Sequence, residues 1–280
     1  MTLRWKLFLV LVSVSLVPLL TVTWISQNAS RRLGKSISAT ARNTLTEKVT
    51  REMVRTTRSY AMVSLMGGQT VEFALRLLAA EAELALALPP SSPEKIYYAA
   101  DFDNPASAPE DLAPSENHPI RSDEGTGALK LISRRYPNFL LAPGTLKDNV
   151  AEDISRFTRL GPALININQR YGDGLQWAYV GLENGLHVAY PGHGGYPMDY
   201  DPRKRSWYKA ARDTETLTWL PLEDATTGQL LLTVSKPIRR PDGSFAGVAG
   251  MDIKISHALV DSETTSRWSE NMSSFIISIK

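Results

Sequence analysis

Residues Tyr200 to Tyr208 read Tyr-Asp-Pro-Arg-Lys-Arg-Ser-Trp-Tyr, straight after the glycine-rich loop Pro191-Gly-His-Gly-Gly-Tyr196. An arginine guanidinium is a planar fork of donors that matches a carboxylate or phosphate. Trp and Tyr supply flat apolar walls with a polar tip. Pro202 fixes the turn that leads in. A helix is predicted from about Arg203 to Asp213, on which Arg205 and Tyr208, three apart, share a face. The same residues also read as a basic, solvated first helical turn, and the stretch alone does not separate the two.

The composition narrows the chemistry. The chain has 280 residues, 43% hydrophobic and 21% charged, with a net charge of +2, which fits one large or two small globular domains and implies no polyanionic partner. The aromatic residues are not interleaved with long basic runs, so no nucleic-acid partner is expected. There are no cysteines, which excludes disulfides, thiolate metal sites and a Cys nucleophile. The four histidines, His118, His187, His193 and His257, show no metal-ligand spacing. No GxSxG, P-loop or zincin motif and no carboxylate pair is present. Asp252 with Tyr208 can be drawn as an acid/base pair, but nothing else supports catalysis. The expectation is no cofactor and no enzyme activity.

The elements that must position these residues follow from periodicity. Leu7 to Ile25 is an apolar run of about 19 residues, long enough to cross a bilayer, with Pro18 inside it, as membrane helices tolerate. It is read as an uncleaved signal anchor, residues 1–6 being cytoplasmic, with a cleavable signal peptide as the runner-up. Residues 28–88 contain no proline, and Leu33, Ile37, Ala41, Leu45, Val49 and Met53 recur every four residues. This is a long helical stalk, reaching ~90 Å at 1.5 Å per residue, with Gly67-Gly68 as a bend or break. Glu72, Arg76, Glu81 and Glu83 argue that the Leu/Ala-rich part, Val71–Leu88, is buried against the following domain rather than in lipid.

From Pro89 to Thr145, nine of the chain's 17 prolines mark a loop-rich excursion rather than a core. Short strands are expected at Ile96–Ala100, Ala128–Ile132 and Phe139–Ala142. A helix is predicted over Leu146–Arg170 with Ile154, Phe157, Leu160 and Leu164 on its apolar face. Glu183-Asn-Gly185 between two apolar runs signals a hairpin of Gln176–Gly181 with Leu186–Tyr190. Strands at Thr216–Leu220, Gln229–Pro237 and Ser244–Ile253 follow, separated by turns at Asp224–Gly228 and Pro241–Gly243. The fold class is α+β: a sheet of about five antiparallel strands with flanking helices.

The order of these pieces resembles the double Cache family: anchor, long helix, hairpin, Tyr200-Asp-Pro-Arg-Lys-Arg-Ser-Trp-Tyr-Lys-Ala-Ala211, Asp224-Ala-Thr-Thr-Gly-Gln-Leu230, and Gly247-Val-Ala-Gly-Met-Asp-Ile253. That family comprises extracytoplasmic sensor domains of bacterial chemoreceptors, sensor kinases and membrane-bound sporulation-type serine phosphatases. The proline-rich insertion and the Pro191–Tyr196 loop resemble the phosphatase-linked sensors. The resemblance implies two stacked PAS-like modules on one long helix, with ligand in the membrane-distal module. Here residues 89–260 would be that module and 261–280 the start of a second one that stops, as in a fragment or truncated product. It also implies a bacterial inner-membrane protein with the bulk of the chain periplasmic, and a homodimer through the long helix.

An amino-acid-binding subset of the family uses a Tyr, an Arg, a Trp-Tyr pair, a second Tyr and an Asp. By resemblance these are Tyr200, Arg205, Trp207, Tyr208 and Asp252, with Leu222 where the second Tyr is expected. The implied ligand is an amino acid, an amine or a small carboxylate, with Arg205 on the carboxylate, Asp252 on the ammonium and Trp207 stacked beside it. Structural readings stand next to these. Asp252 could pair with Arg205 or Arg203, Trp207 could be core, and His187 and His193 could be ordinary strand and loop residues. The rival function is a membrane-anchored structural or adhesion scaffold.

Overall fold

The computed structural model describes residues 3–91, 95–121 and 127–255, without the side chains of residues 4, 6, 7, 9, 10, 13, 39, 43 and 56–66 in the first helix. The expected second module at 261–280 therefore lies outside the described residues. The chain divides into two compact units, Met1–Met62 and Val63–Lys280.

The described residues of the first unit are all helical, part of α1 (Leu3–Ala87). Pro18 sits inside the helix without ending it. Ser15 and Thr23 return their hydroxyls to the carbonyls of Leu11 and Leu19 at 2.8 and 2.7 Å, so their polar groups are satisfied within the helix. The stripe from Leu33 to Met53 is exposed. Among the described residues no helix is long and apolar enough to cross a membrane. The expected span at Leu7–Ile25 is thus not supported there, and its Leu7, Leu9, Val10 and Ser13 have side chains outside the description.

The second unit opens with the rest of α1. The expected break at Gly67-Gly68 is absent: both glycines are helical, and neither has positive φ. Glycine costs about 1 kcal/mol in a helix but does not end one when packing on either side holds it. Packing is present on the C-terminal side, where Val71, Ala74, Leu75, Leu78, Ala82, Ala85 and Leu86 are buried. Each fully buried leucine contributes about 1.5–3 kcal/mol.

Next come β1 (Tyr97–Tyr98), β2 (Ala113–Pro119), β3 (Leu129–Ser133) and β4 (Asn138–Leu141). The proline-rich excursion is thus more ordered than its composition suggests. Strand β2 was not legible because its two prolines lie at its second and last positions, next to polar residues. The helix expected over Leu146–Arg170 is two, α2 (Ala151–Phe157) and α3 (Leu160–Tyr171). Pro162 accounts for the division, since it has no N–H for the Thr158 carbonyl and its ring crowds that carbonyl. In the first turn of α3, where an N–H has no helical partner to lose, the same proline is tolerated.

The hairpin forms as β5 (Leu175–Leu182) and β6 (Leu186–Tyr190), with Gly185 at φ 91° in the turn. A short β7 (Gly192–His193), α4 (Ser206–Arg212), β8 (Thr218–Glu223), β9 (Leu230–Arg239) and β10 (Phe245–Lys254) complete the unit. Five strands were expected; the main sheet has seven, in the order β1-β4-β6-β5-β10-β9-β8, and β2-β3-β7 form a second sheet. Pairing in the main sheet is antiparallel except for β1 with β4.

The main sheet is covered on both faces, and strand alternation sorts its residues. Ala178, Val180, Val188 and Met251 join α1 and α3 in one core. Trp177, Tyr179, Ala189 and Val248 join Trp207, Tyr208 and Ala211 of α4 in the other.

Candidate ligand-binding site

On the α4 face the sheet does not close completely. A cavity of about 30 Å³ remains among β5, β6, β10, the loop before α4 and the turn after β8. At ~10–15 Å³ for each water this is room for two or three. Its walls are aromatic and imidazole rings. Trp177 stacks on His193 at 3.9 Å, His193 on Tyr196 at 4.8 Å, and Tyr196 meets Tyr200 edge-on at 4.9 Å. Tyr179 lies 4.8 Å from Trp207. Leu222 faces the same space.

Asp252, near the end of β10, is with Asp224 one of two buried carboxyl groups lining this cavity. Its Oδ1 accepts from Thr233 Oγ1 at 2.6 Å and from Tyr179 Oη at 2.8 Å. Tyr179 reaches it because residue 250 is glycine; a Cβ there would run into the Tyr179 ring. Asp252 lies in no ion pair with Arg203 or Arg205 among the described residues. Burial pushes its carboxyl up to about 7, opposed by the Thr233 and Tyr179 hydrogen bonds and the charge of Arg205 and helped by the nearby charge of Asp224.

Arg203 is engaged elsewhere. It grips Asp201 through Nε and Nη2 at 2.9 and 2.8 Å, and its backbone N–H bonds the same carboxylate, closing the turn before α4. Those hydrogen bonds hold Asp201 below the usual carboxylate range. Arg205 is left facing the cavity with its guanidinium 5.7 Å from the Tyr200 ring centre, and no ion pair or hydrogen bond holds it among the described residues. The helix begins later than expected. Arg205 has extended backbone (φ −73°, ψ 150°) and sits just before α4, so it does not share a helical face with Tyr208.

Of the five residues singled out, the fold brings Tyr200, Arg205, Trp207 and Asp252 to the cavity. Tyr208 is not among the lining residues. It packs against Trp207 and Phe245, and its buried hydroxyl has no hydrogen-bond partner among the described residues. Trp207 is both core and cavity wall.

Other lining residues come from the turn after β8 and from β6 and β7. Asp224 Oδ2 collects Trp177 Nε1 at 3.1 Å, Thr226 Oγ1 at 2.9 Å, the Thr227 N–H at 2.9 Å and the Thr227 hydroxyl, which builds the turn after β8. Burial pushes His187 and His193 down to about 3 each, so both are neutral near pH 7. His187 Nδ1 is buried without a partner. The only hint in the sequence was parity: His187 falls on the same face of β6 as Ala189, two residues away. Among the described residues no cluster of His, Asp and Glu could hold a metal. The arrangement offers a guanidinium and a carboxylate, not paired with each other, across an aromatic space.

Residues 151–258, which include all of these lining residues, match the family "Methyl-accepting chemotaxis protein-like, first PDC sensor domain". The methyl-accepting chemotaxis protein PscA of Pseudomonas syringae pv. tomato is 40% identical over 86 residues, 30% of this chain and 13% of that protein. McpA of Pseudomonas putida is 30% identical over 138 residues, 48% of this chain and 21% of that protein. The aligned stretches thus span less than a quarter of these relatives. Among solved structures, the ligand-binding domain of the Pseudomonas aeruginosa amino acid chemoreceptor PctC in complex with GABA is 32% identical. It covers 33% of this chain and 46% of that one at a TM-score of 0.30. That of the Pseudomonas fluorescens chemoreceptor CtaA with L-serine is 27% identical, covering 38% and 45% at 0.31. The similarity is to a sensor domain and not to an enzyme.

Proposed function

Because residues 151–258 are a PDC/Cache sensor domain of the kind found in methyl-accepting chemotaxis proteins, we propose that the chain senses a small amphoteric ligand resembling an amino acid. The observation that carries this reading is the cavity with Arg205 and Asp252 on it and no ion pair between them. A ligand with both a carboxylate and an ammonium answers both, and a purely structural pair would have closed on itself. Arg205 forks onto the carboxylate and Asp252 takes the ammonium, with Trp207 and Tyr200 against the ligand's body. Tyr208 sits behind Trp207 and supports it. The cavity is smaller than an amino acid, so binding widens it.

The same reading places the chain in the bacterial inner membrane with its bulk periplasmic. Support comes from the Leu7–Ile25 run, whose described apolar side chains such as Leu19, Leu20, Val22 and Ile25 are exposed, while Ser15 and Thr23 bond back within the helix. The signal leaves through α1. Trp219 of β8 donates to Glu72 at 3.1 Å and the Arg239 N–H of β9 to Glu83 at 3.0 Å, tying strands near the cavity to the helix. Ligand acts by favouring one of two arrangements of that contact, across a pair of chains.

The test is thermal unfolding of the full chain in detergent, read by tryptophan fluorescence, with amino acids, amines and small carboxylates. A ligand at ~100 times its Kd adds about 2.7 kcal/mol, or roughly 5–11 °C. A shift lost in both Arg205→Ala and Asp252→Ala supports the reading. The absence of any shift, with both variants destabilised, would return these residues to a structural role and the chain to a scaffold.

A further inference from the structure

Among the described residues three histidines are buried, and two of them are fully occupied within the protein. His118 has Ser115 Oγ at 2.9 Å on Nδ1 and the Gln176 carbonyl at 3.0 Å on Nε2, and His193 has the Pro191 carbonyl at 2.9 Å on Nδ1. His187 differs. It is 1% exposed and lines the cavity, its ring leans on the Val180 backbone, and its Nδ1 has no partner among the described residues. A buried polar atom left unpaired carries its full desolvation cost, and most such atoms in native proteins find a partner. His187 therefore holds a hydrogen bond in reserve that the empty protein does not use.

The groups around it define what can take that bond. Four rings surround the imidazole, Tyr179 and Tyr200 with centroids at 5.6 Å, Tyr196 at 6.0 Å and Trp207 at 6.3 Å. Tyr196 Oη accepts from Asn138 Nδ2 at 3.3 Å, while its own proton has no acceptor among the described residues. Burial holds His187 neutral and the Tyr196 hydroxyl protonated. Neither offers a charge, so a charged ligand group would be stranded beside them. A neutral imidazole carries a donor on one nitrogen and an acceptor on the other. A hydroxyl both donates and accepts, so it meets Nδ1 in either tautomer and can accept the Tyr196 proton as well. The position of His187 fits this. The Tyr200 ring has the Arg205 guanidinium on one side and His187 on the other, and Tyr179 faces His187 while its hydroxyl donates to Asp252. His187 thus lies between the two charged poles, where the side chain of an α-amino acid held by both would pass.

We propose that His187 and Tyr196 form a subsite that reads a hydroxyl on the side chain of the bound ligand, so that the cavity selects a small hydroxy amino acid over its apolar isostere. This narrows the amphoteric-ligand reading above and rests on it. Arg205 and Asp252 answer groups that every α-amino acid shares, so they do not tell one from another. Trp207 and Leu222 offer apolar contact to any side chain. The discrimination comes from His187 and Tyr196, because an apolar ligand leaves Nδ1 and the Tyr196 proton unpaired in a site closed to water.

The test is titration calorimetry of the full chain in detergent with two pairs of ligands, L-serine against L-α-aminobutyrate and L-threonine against L-valine. Each pair exchanges a hydroxyl for a methyl. In the wild type the hydroxy member of a pair that binds should be the tighter by about tenfold or more. His187→Phe keeps a flat ring and removes both nitrogens, and it should bring the two members within about twofold of each other. His187→Gln keeps a group that donates and accepts, and it should retain part of the preference even where His187→Phe does not fold. Arg205→Ala should weaken both members and leave their ratio as it was. An apolar member that binds the wild type as tightly as its hydroxy partner overturns the subsite and leaves the sensor reading standing. So does a preference that survives unchanged in His187→Phe, or one that Arg205→Ala removes while His187→Gln does not alter it. Binding of neither pair, with another amino acid bound, also overturns the subsite alone. Binding of no amino acid at all overturns the sensor reading and the subsite together.

Discussion

Replacing Asp252 by Asn should stabilise the empty protein at neutral and alkaline pH while destroying its response to ligand. Burial raises the Asp252 carboxyl from its ordinary 3.8 to about 7. Between those two values the native state holds a proton that the unfolded chain has released. Stability from this group is therefore complete below pH 4 and is lost as pH rises to about 7. At ~1.36 kcal/mol for each pH unit, the loss is about 4 kcal/mol. Asn keeps an acceptor for Thr233 and Tyr179 and cannot ionise. Burial depresses His118 to about 4 and His187 and His193 to about 3, so these groups act in the opposite direction, adding stability as pH rises towards 6.5. They are common to both proteins and cancel in the comparison. The assay is urea unfolding of wild type and Asp252→Asn from pH 4 to pH 8.5, followed by tryptophan fluorescence. Relative to the wild type, the variant should gain about 4 kcal/mol across that range. A difference that does not change with pH, or one that favours the wild type at pH 8, would refute the claim that Asp252 is a buried carboxyl held in no ion pair.

Ligand affinity should follow the same group. An ammonium beside Asp252 requires the carboxylate, so the Kd of an amino-acid ligand should worsen about tenfold for each pH unit below 7 and level off above about 8, measured by titration calorimetry. Arg205→Ala should leave the melting temperature of the empty protein within about 1–2 °C of wild type, because no hydrogen bond or ion pair is lost. It should weaken ligand binding at least a hundredfold, and Arg205→Lys should rescue only part of it because the fork is gone. Gly250→Ala drives a Cβ into the Tyr179 ring. It should cost about 1–3 kcal/mol in urea unfolding and change the near-ultraviolet tyrosine signal; an unchanged stability would mean that the ring has room to move.

What could be read from the sequence was whatever depends on local pattern. The hairpin at Glu183–Gly185, the strands β9 and β10 and the buried face of Val71–Leu88 follow from turn chemistry and from the two- and 3.6-residue periods. Four of the five site residues gather at one cavity because strand parity and a single tight turn place them. What could not be read depends on distant packing or on weighing one local signal against another. Pro162 divides a helix because its ring meets the Thr158 carbonyl, although the apolar stripe from Ile154 to Leu164 runs straight across it. Gly67-Gly68 continues a helix because packing beyond it holds the chain. His187, His193 and Asp224 join the cavity from β6, β7 and the turn after β8, and beyond the parity of His187 and the turn signal at Asp224 their neighbours do not announce it. Arg205 is displaced from its expected helical face by the turn that Asp201 and Arg203 close. Tyr208, one residue beyond Trp207, is carried into the core by the same geometry.

The two faces of the main sheet have a bearing on how a sensor domain of this kind diversifies. On β5, β6 and β10, positions 177, 179, 187, 189 and 252 belong to the cavity side, while 178, 180, 186, 188, 251 and 253 belong to the core beneath α1. Neighbours in sequence therefore answer to different selective demands. One set can be recast to suit a new ligand while its interleaved companions preserve the scaffold, without insertion, deletion or relocation of any strand. A library randomised only at the first set would sample new ligand preferences on a constant framework, and the same alternation offers a natural lineage a short mutational route from one ligand to another.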